Sequence, residues 1–302
     1  MDRHHSGGPP PVGVPPPPGS YSRGMTNSSS LAYPPPPPII SHHPEQNKEN
    51  PKLEPLLIDY RLQQNQFLGA RFIFECGVKM DARPMTIATA AVLYHRFFKE
   101  MDDKKYDIYL IAACSLYLAG KHENQHLKLR DVINVAYCTI HRNELPLDLN
   151  DKYWSYRDAI VQSELLIMRV LKFQTDFVYP HKFLVHYLKT LEEWIGYDGF
   201  SKAPVARTAW SLLQDFHHDP SVISYQPQAL AVAAIKLAMD MNGAQVPLCS
   251  MSGKNSWEMI MYPNVDTVIL EEIMFKMLTV YDNEATIFPA LLFRETTNGN
   301  LK

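Results

Sequence analysis

Cysteine is scarce in this chain. Four stand in 302 residues (Cys76, Cys114, Cys138 and Cys249), spaced 38, 24 and 111 apart with no CxxC pair. That spacing excludes a disulfide frame and a zinc ribbon, and it fits reduced thiols in the nucleus and/or cytoplasm. An excess of either charge is also missing. Lys and Arg number 29 and Asp and Glu 32, a net of −3 that gives no electrostatic footprint for direct contact with nucleic acid. No long hydrophobic run occurs either. The longest strongly apolar stretch, Ile108 to Gly120, has 13 residues, short of the roughly 20 that span a bilayer, so no membrane partner is expected. The opening Met1-Asp2-Arg3-His4-His5 leads into prolines instead of the apolar segment of a secretory signal. The phosphate loops GxxxxGK[ST] and GxGxxG are absent, as is the nucleophile elbow GxSxG.

What the chain does have in quantity is proline, unevenly placed: 14 of its 24 prolines fall at or before Pro51. Residues 1–50 hold only ten apolar residues, too few to offset the entropy of ordering them, so they read as a disordered proline-rich tail. Within it, Pro9–Pro11, Pro15–Pro18 and Pro34–Pro38 are polyproline segments, able to dock an aromatic-lined groove in a partner domain.

From Leu56 onward the spacing is helical. Leu68, Phe72 and Cys76 share one face; Pro84 opens a helix carrying Ile87, Ala91, Tyr94 and Phe98. After Asp107 the run to Ala119 is apolar on nearly every side, which marks a helix enclosed by others. Leu129–Ala136 and a long segment with Ile160, Val161, Leu165, Met168 and Leu171 complete a first set of five. The same order returns after Pro180, with Pro204 and Pro227 opening helices and a last long one near Val265–Tyr281. Ala112, Leu118 and Ala119 fall on Ala231, Leu237 and Ala238 at an offset of 119, a period that marks a duplicated domain. The expected fold is all-α. Two tandem five-helix domains, 51–178 and 179–282, lie between the tail 1–50 and a C-terminal tail 283–302.

One segment has the form of a catalytic motif. His122-Glu123-Asn124-Gln125-His126 is a literal HExxH, in which two histidines four apart on one helix hold zinc and the glutamate activates water. A zinc metallopeptidase is therefore one reading. Against it, the apolar helix is expected to end at Ala119-Gly120, before the motif, and no third His follows in metzincin spacing. No metal or cofactor is expected.

The same region reads better with what precedes it. Leu118-Ala119-Gly120-Lys121-His122-Glu123 resembles the L-A-x-K-x-E element of the cyclin box. Ile87-Ala88-Thr89-Ala90 with His95-Arg96-Phe97 is similar to the second helix of transcription-type cyclins. Arg71-Phe72-Ile73, Glu75-Cys76-Gly77-Val78-Lys79, Arg130–Val135, Glu164-Leu165-Leu166, Arg169-Val170-Leu171 and Pro180–Leu184 extend the likeness, most closely to the cyclin Q (cyclin M) family, over roughly residues 66–281. The resemblance implies a regulatory subunit, not an enzyme, that binds beside the C-helix of a cyclin-dependent Ser/Thr kinase, in this family cyclin-dependent kinase 10, as a heterodimer. It implies that Lys121 and Glu164 bond kinase main chain, and that Leu118, Met168 and Phe173 supply apolar contact. His122, where cyclins usually carry an aliphatic or aromatic residue, joins that surface, and Arg71 has a structural role. A helical transcription adaptor with the same double fold is the other alternative.

Overall fold

The computed structural model describes residues 57–292 apart from 197–199, 201–202, 247–255 and 265. The proline-rich tail 1–50, Cys249 and residues 293–302 lie outside the described residues. Among the described residues, ten α-helices follow one another: α1 (Gln66–Lys79), α2 (Pro84–Glu100), α3 (Ile108–His122), α4 (Leu129–Ile140), α5 (Asp151–Val170), α6 (Pro180–Ile195), α7 (Val205–Asp215), α8 (Pro227–Asn242), α9 (Trp257–Met261) and α10 (Thr267–Leu291). A single antiparallel bridge, Ile58 to Leu292, is the only β pairing among the described residues.

Local chemistry places these ends. Pro84, Pro180 and Pro227 each begin a helix, where proline's missing N–H forfeits no bond. The Asp107 carboxylate caps α3 by accepting from the N–H groups of Tyr109 and Leu110. Gly243, at φ 63°, ends α8 in the left-handed conformation that a side chain would strain.

Each half closes around one helix of small residues. In the first, Ala112, Cys114, Leu116 and Ala119 of α3 are fully buried. In the second, the run Ala231–Ile235 of α8 is fully buried too. Small side chains at these centres let the neighbouring helices approach closely. Gly69 shows how tight the approach is: a Cβ there would lie 2.0 Å from the Tyr94 hydroxyl and 2.5 Å from Ile108.

One boundary differs from the sequence expectation. The segment assigned to a C-terminal tail from 283 instead continues α10 to Leu291. That helix starts in the second core with Leu270, Ile273, Met277 and Val280. It ends in the first, with Leu291 buried and Ile287 and Phe288 packed alongside. The Asp59 amide donates to the Leu291 carbonyl at 2.8 Å. Polar Asp282-Asn283-Glu284 interrupts the apolar period, and Pro289 resembles a stop signal, yet in the last turn it removes only one backbone bond.

The two halves meet over buried histidines. His95 of α2 bonds the His217 carbonyl through Nε2 at 2.9 Å, and the His181 and His217 rings stack with centroids 5.4 Å apart. His218 stacks on Phe74 of α1 at 3.9 Å. Burial drives all four imidazoles toward the neutral form, His95 and His181 down to about 4 and His217 and His218 to about 3.

Candidate functional site

α3 and α5 pack side by side, and their outer ends bring together two charges far apart in sequence. Lys121 stands in the last turn of α3, not just past the helix as expected, because the helix runs through Gly120 to His122. Glu164 lies six residues before the end of α5. The Lys121 Nζ donates to Glu164 Oε1 at 2.6 Å and sits 4.4 Å from the centre of the Tyr117 ring. Partial burial disfavours the ammonium, but the Glu164 carboxylate outweighs it and the Lys121 pKa is raised. The lysine side chain is 48% exposed and the glutamate 21%, so the pair faces outward.

Beside it, α5 presents an apolar stripe. Trp154, Val161 and Leu165 are 47%, 45% and 46% exposed, and with half-buried Met168 they recur at the spacing of one helix face. Val161 and Leu165 were legible only as members of the helical pattern; nothing in their spacing separates an outward stripe from the inward one of Ile160 and Ile167. Past the helix, Lys172 and Phe173 both adopt positive φ, 52° and 58°. The Phe173 amide donates to the Met168 carbonyl at 2.8 Å, and the ring is 62% exposed. A bulky residue in that conformation carries strain that the surroundings must hold.

Two expected site residues are placed otherwise. Leu118, expected on the contact surface, is 6% exposed and belongs to the first core. It is one of the inward positions of a helix that other helices enclose. His122 does not project freely: it is half-buried, with its ring 6.2 Å from Phe177 and nearly parallel to it. Arg71, expected in a structural role, lies 3.4 Å from Glu284 and 5.6 Å from the Phe288 ring, between α1 and the end of α10.

The HExxH segment does not form a zinc helix. α3 ends at His122, Glu123 is its cap, and Asn124 takes φ 50°, so His126 leaves the helix axis. Glu123 is already engaged, accepting from Thr89 Oγ1 at 2.9 Å and from the Tyr179 hydroxyl. Among the described residues no three His, Cys, Asp or Glu side chains converge to hold a metal ion, and no helix is long and apolar enough to cross a membrane.

Comparison with known proteins agrees with this architecture. Residues 42–176 match the family model of the cyclin N-terminal domain. Cyclin pch1 of Schizosaccharomyces pombe is 29% identical over 176 residues, 58% of this chain and 49% of its own length. Cyclin-K of Danio rerio is 26% identical over 215 residues, 70% and 48% respectively. Cyclin-L1 of Homo sapiens is 29% identical over 187 residues, 61% and 34%. The chain thus spans about half the length, or less, of these relatives. Among solved structures, a chain of the yeast RNA polymerase II CTD kinase CTDK-1 complex superimposes with a TM-score of 0.57 at 18% identity. The superposition covers 76% of this chain and 69% of that one, a likeness of fold.

Proposed function

Because residues 42–176 match the family model of the cyclin N-terminal domain, we propose that the chain is the regulatory subunit of a cyclin-dependent Ser/Thr kinase and activates it by binding. The observation that carries this reading is the Lys121–Glu164 pair, exposed at 2.6 Å at the edge of an apolar stripe. An ammonium has donors for a backbone carbonyl and a carboxylate has lone pairs for a backbone N–H. In the free chain the two satisfy each other; docked, each turns one valence to kinase main chain beside the C-helix. The stripe and Phe173 supply the apolar area around them. The chain contributes no reacting group. Its binding energy shifts the kinase toward the arrangement in which the C-helix glutamate meets the phosphate-holding lysine.

A kinase of the cyclin-dependent kinase 10 type is the finer reading, supported by the likeness of the first domain to cyclin Q. A nuclear site of action accords with the transcription-type character of the second helix. Recovery of the tagged full chain from cell extract, with the associated kinase identified by mass spectrometry, tests both levels. A cyclin-dependent kinase retained by the wild type and lost from Lys121→Ala/Glu164→Ala supports the function. Equal recovery with both forms overturns it, and recovery of another cyclin-dependent kinase overturns only the finer reading.

A further inference from the structure

The cap of α3 is tied to the second domain through one carboxylate. Glu123 follows Lys121 by two residues and is the C-cap of α3. Its Oε1 accepts from Thr89 Oγ1, a fully buried hydroxyl on α2, and from the hydroxyl of Tyr179. Tyr179 is the N-cap of α6, the first helix of the second domain. The Glu123 carbonyl is held as well, accepting from Arg83 Nη2 at 2.7 Å. Phe177, two residues before Tyr179, lies between the Tyr179 ring at 4.4 Å and the His122 ring at 6.2 Å, with the Arg96 guanidinium 5.3 Å from its centre.

We propose that Glu123 is a positioning residue: it clamps the interdomain linker to the end of α3 and so fixes the Lys121 turn relative to the second domain. The geometry places Glu123 Oε1 as acceptor for the Tyr179 hydroxyl; the buried Thr89 hydroxyl, which also reaches the Met85 carbonyl at 2.8 Å, lies 3.0 Å from the Tyr179 hydroxyl and completes the cluster. The turn it holds has no helix bonds beyond it. Asn124 is left-handed, and the Gln125 amide returns to the Gly120 carbonyl at 2.9 Å. Without the carboxylate, the linker and turn are joined only by ring contacts. His122, expected to meet a partner directly, then acts through the same clamp by bracing Phe177.

The test compares Glu123→Ala, Glu123→Gln and Tyr179→Phe in the full chain. Amide hydrogen exchange of the free protein reads segments 121–127 and 171–179, with α8 as an internal reference for global opening. Glu123→Ala and Tyr179→Phe should raise exchange in both segments by about tenfold, the scale of losing one charged hydrogen bond. α8 should stay protected, and Glu123→Gln, which keeps the acceptor oxygen, should restore both segments. Unchanged exchange in the alanine variant, or no rescue by glutamine, overturns the clamp. A second arm rests on the function proposed above: kinase affinity should fall about tenfold in Glu123→Ala and recover in Glu123→Gln. Failure of the wild type itself to bind a kinase would sink that function and leave the exchange result to judge the clamp.

Discussion

Lys121 and Glu164 are 43 residues apart in sequence and 2.6 Å apart in the fold, joined across the ends of two packed helices. So exposed a pair contributes little to stability, about 0.2–1 kcal/mol for ion pairs of this kind. Its removal should therefore separate folding from binding. Lys121→Ala or Glu164→Ala should leave thermal unfolding within a few degrees of wild type. Each should weaken kinase association roughly 30-fold or more, since a charged hydrogen bond cut at a desolvated interface costs about 2–5 kcal/mol. Lys152→Ala is the control: its Nζ bonds the Tyr137 hydroxyl at the opposite end of α5. Calorimetric titration of the purified partners decides, and equal affinities across all three variants would refute the assignment.

The exposed stripe on α5 makes a second claim on the same face. Val161→Asp and Leu165→Asp place a charge where neither side chain is needed by the core, so the fold should hold. Burying that charge in a docked interface is expensive, and association should fall at least tenfold. Ile160→Asp, one residue away but pointing inward at 2% exposure, should instead abolish soluble protein. Expression and pull-down of the three variants in parallel check the contrast.

The acid side of the stability curve should be set by the histidine seam. His95, His181, His217 and His218 titrate near 6.5 when exposed, but at about 4, 4, 3 and 3 in the fold. Between those values the unfolded chain binds protons that the folded one refuses. Stability is therefore fully present above pH 6.5 and falls as pH drops toward 4, by about 1.4 kcal/mol per pH unit for each such group. Asp215 and Glu284, whose carboxyls burial raises, act in the opposite sense and soften the slope. Melting temperature from pH 7.5 to 4.5 should fall steeply, and more gently in His95→Gln. A flat profile would contradict the seam.

Metal chelation should change nothing. His122 and His126 lie on opposite sides of the α3 cap, so EDTA should leave the melting temperature unmoved. The double change to Ala should cost no more than the stacking of His122 on Phe177. Zinc at one equivalent after tag-free purification would reverse that expectation.

Much of this architecture can be read in the chain itself, where its signals are local. Pro84, Pro180 and Pro227 stand at helix starts, and the alanine-rich runs mark the two centres. The offset of 119 carries the start of α3 at Ile108 onto that of α8 at Pro227. The Lys121–Glu164 juxtaposition follows from the side-by-side packing of α3 and α5. Leu118 sits inside, as the all-round apolar run up to Ala119 already suggests; its expected place on the contact surface rested on the resemblance alone. What the pattern hides is tertiary. Tyr179 and Phe177 lie in a linker without periodicity, so their grip on Glu123 and His122 appears only once α6 is docked. The last turns of α10 are masked by polar residues and a proline.

That last helix bears on how the protein is made. The first core includes Leu291, a residue synthesised more than 200 positions after the start of α1. Domains emerging from the ribosome ordinarily complete themselves in order, the N-terminal one first. Here the earlier domain must wait, its face between Ile58 and α1 uncovered, until Leu291 has been released. Native contacts of such long sequence separation slow folding, and the interval leaves apolar surface open to chaperones. Nascent chains stalled after residue 282 should remain protease-sensitive in the first domain, and those carrying residue 292 clear of the ribosome on an added C-terminal extension should not.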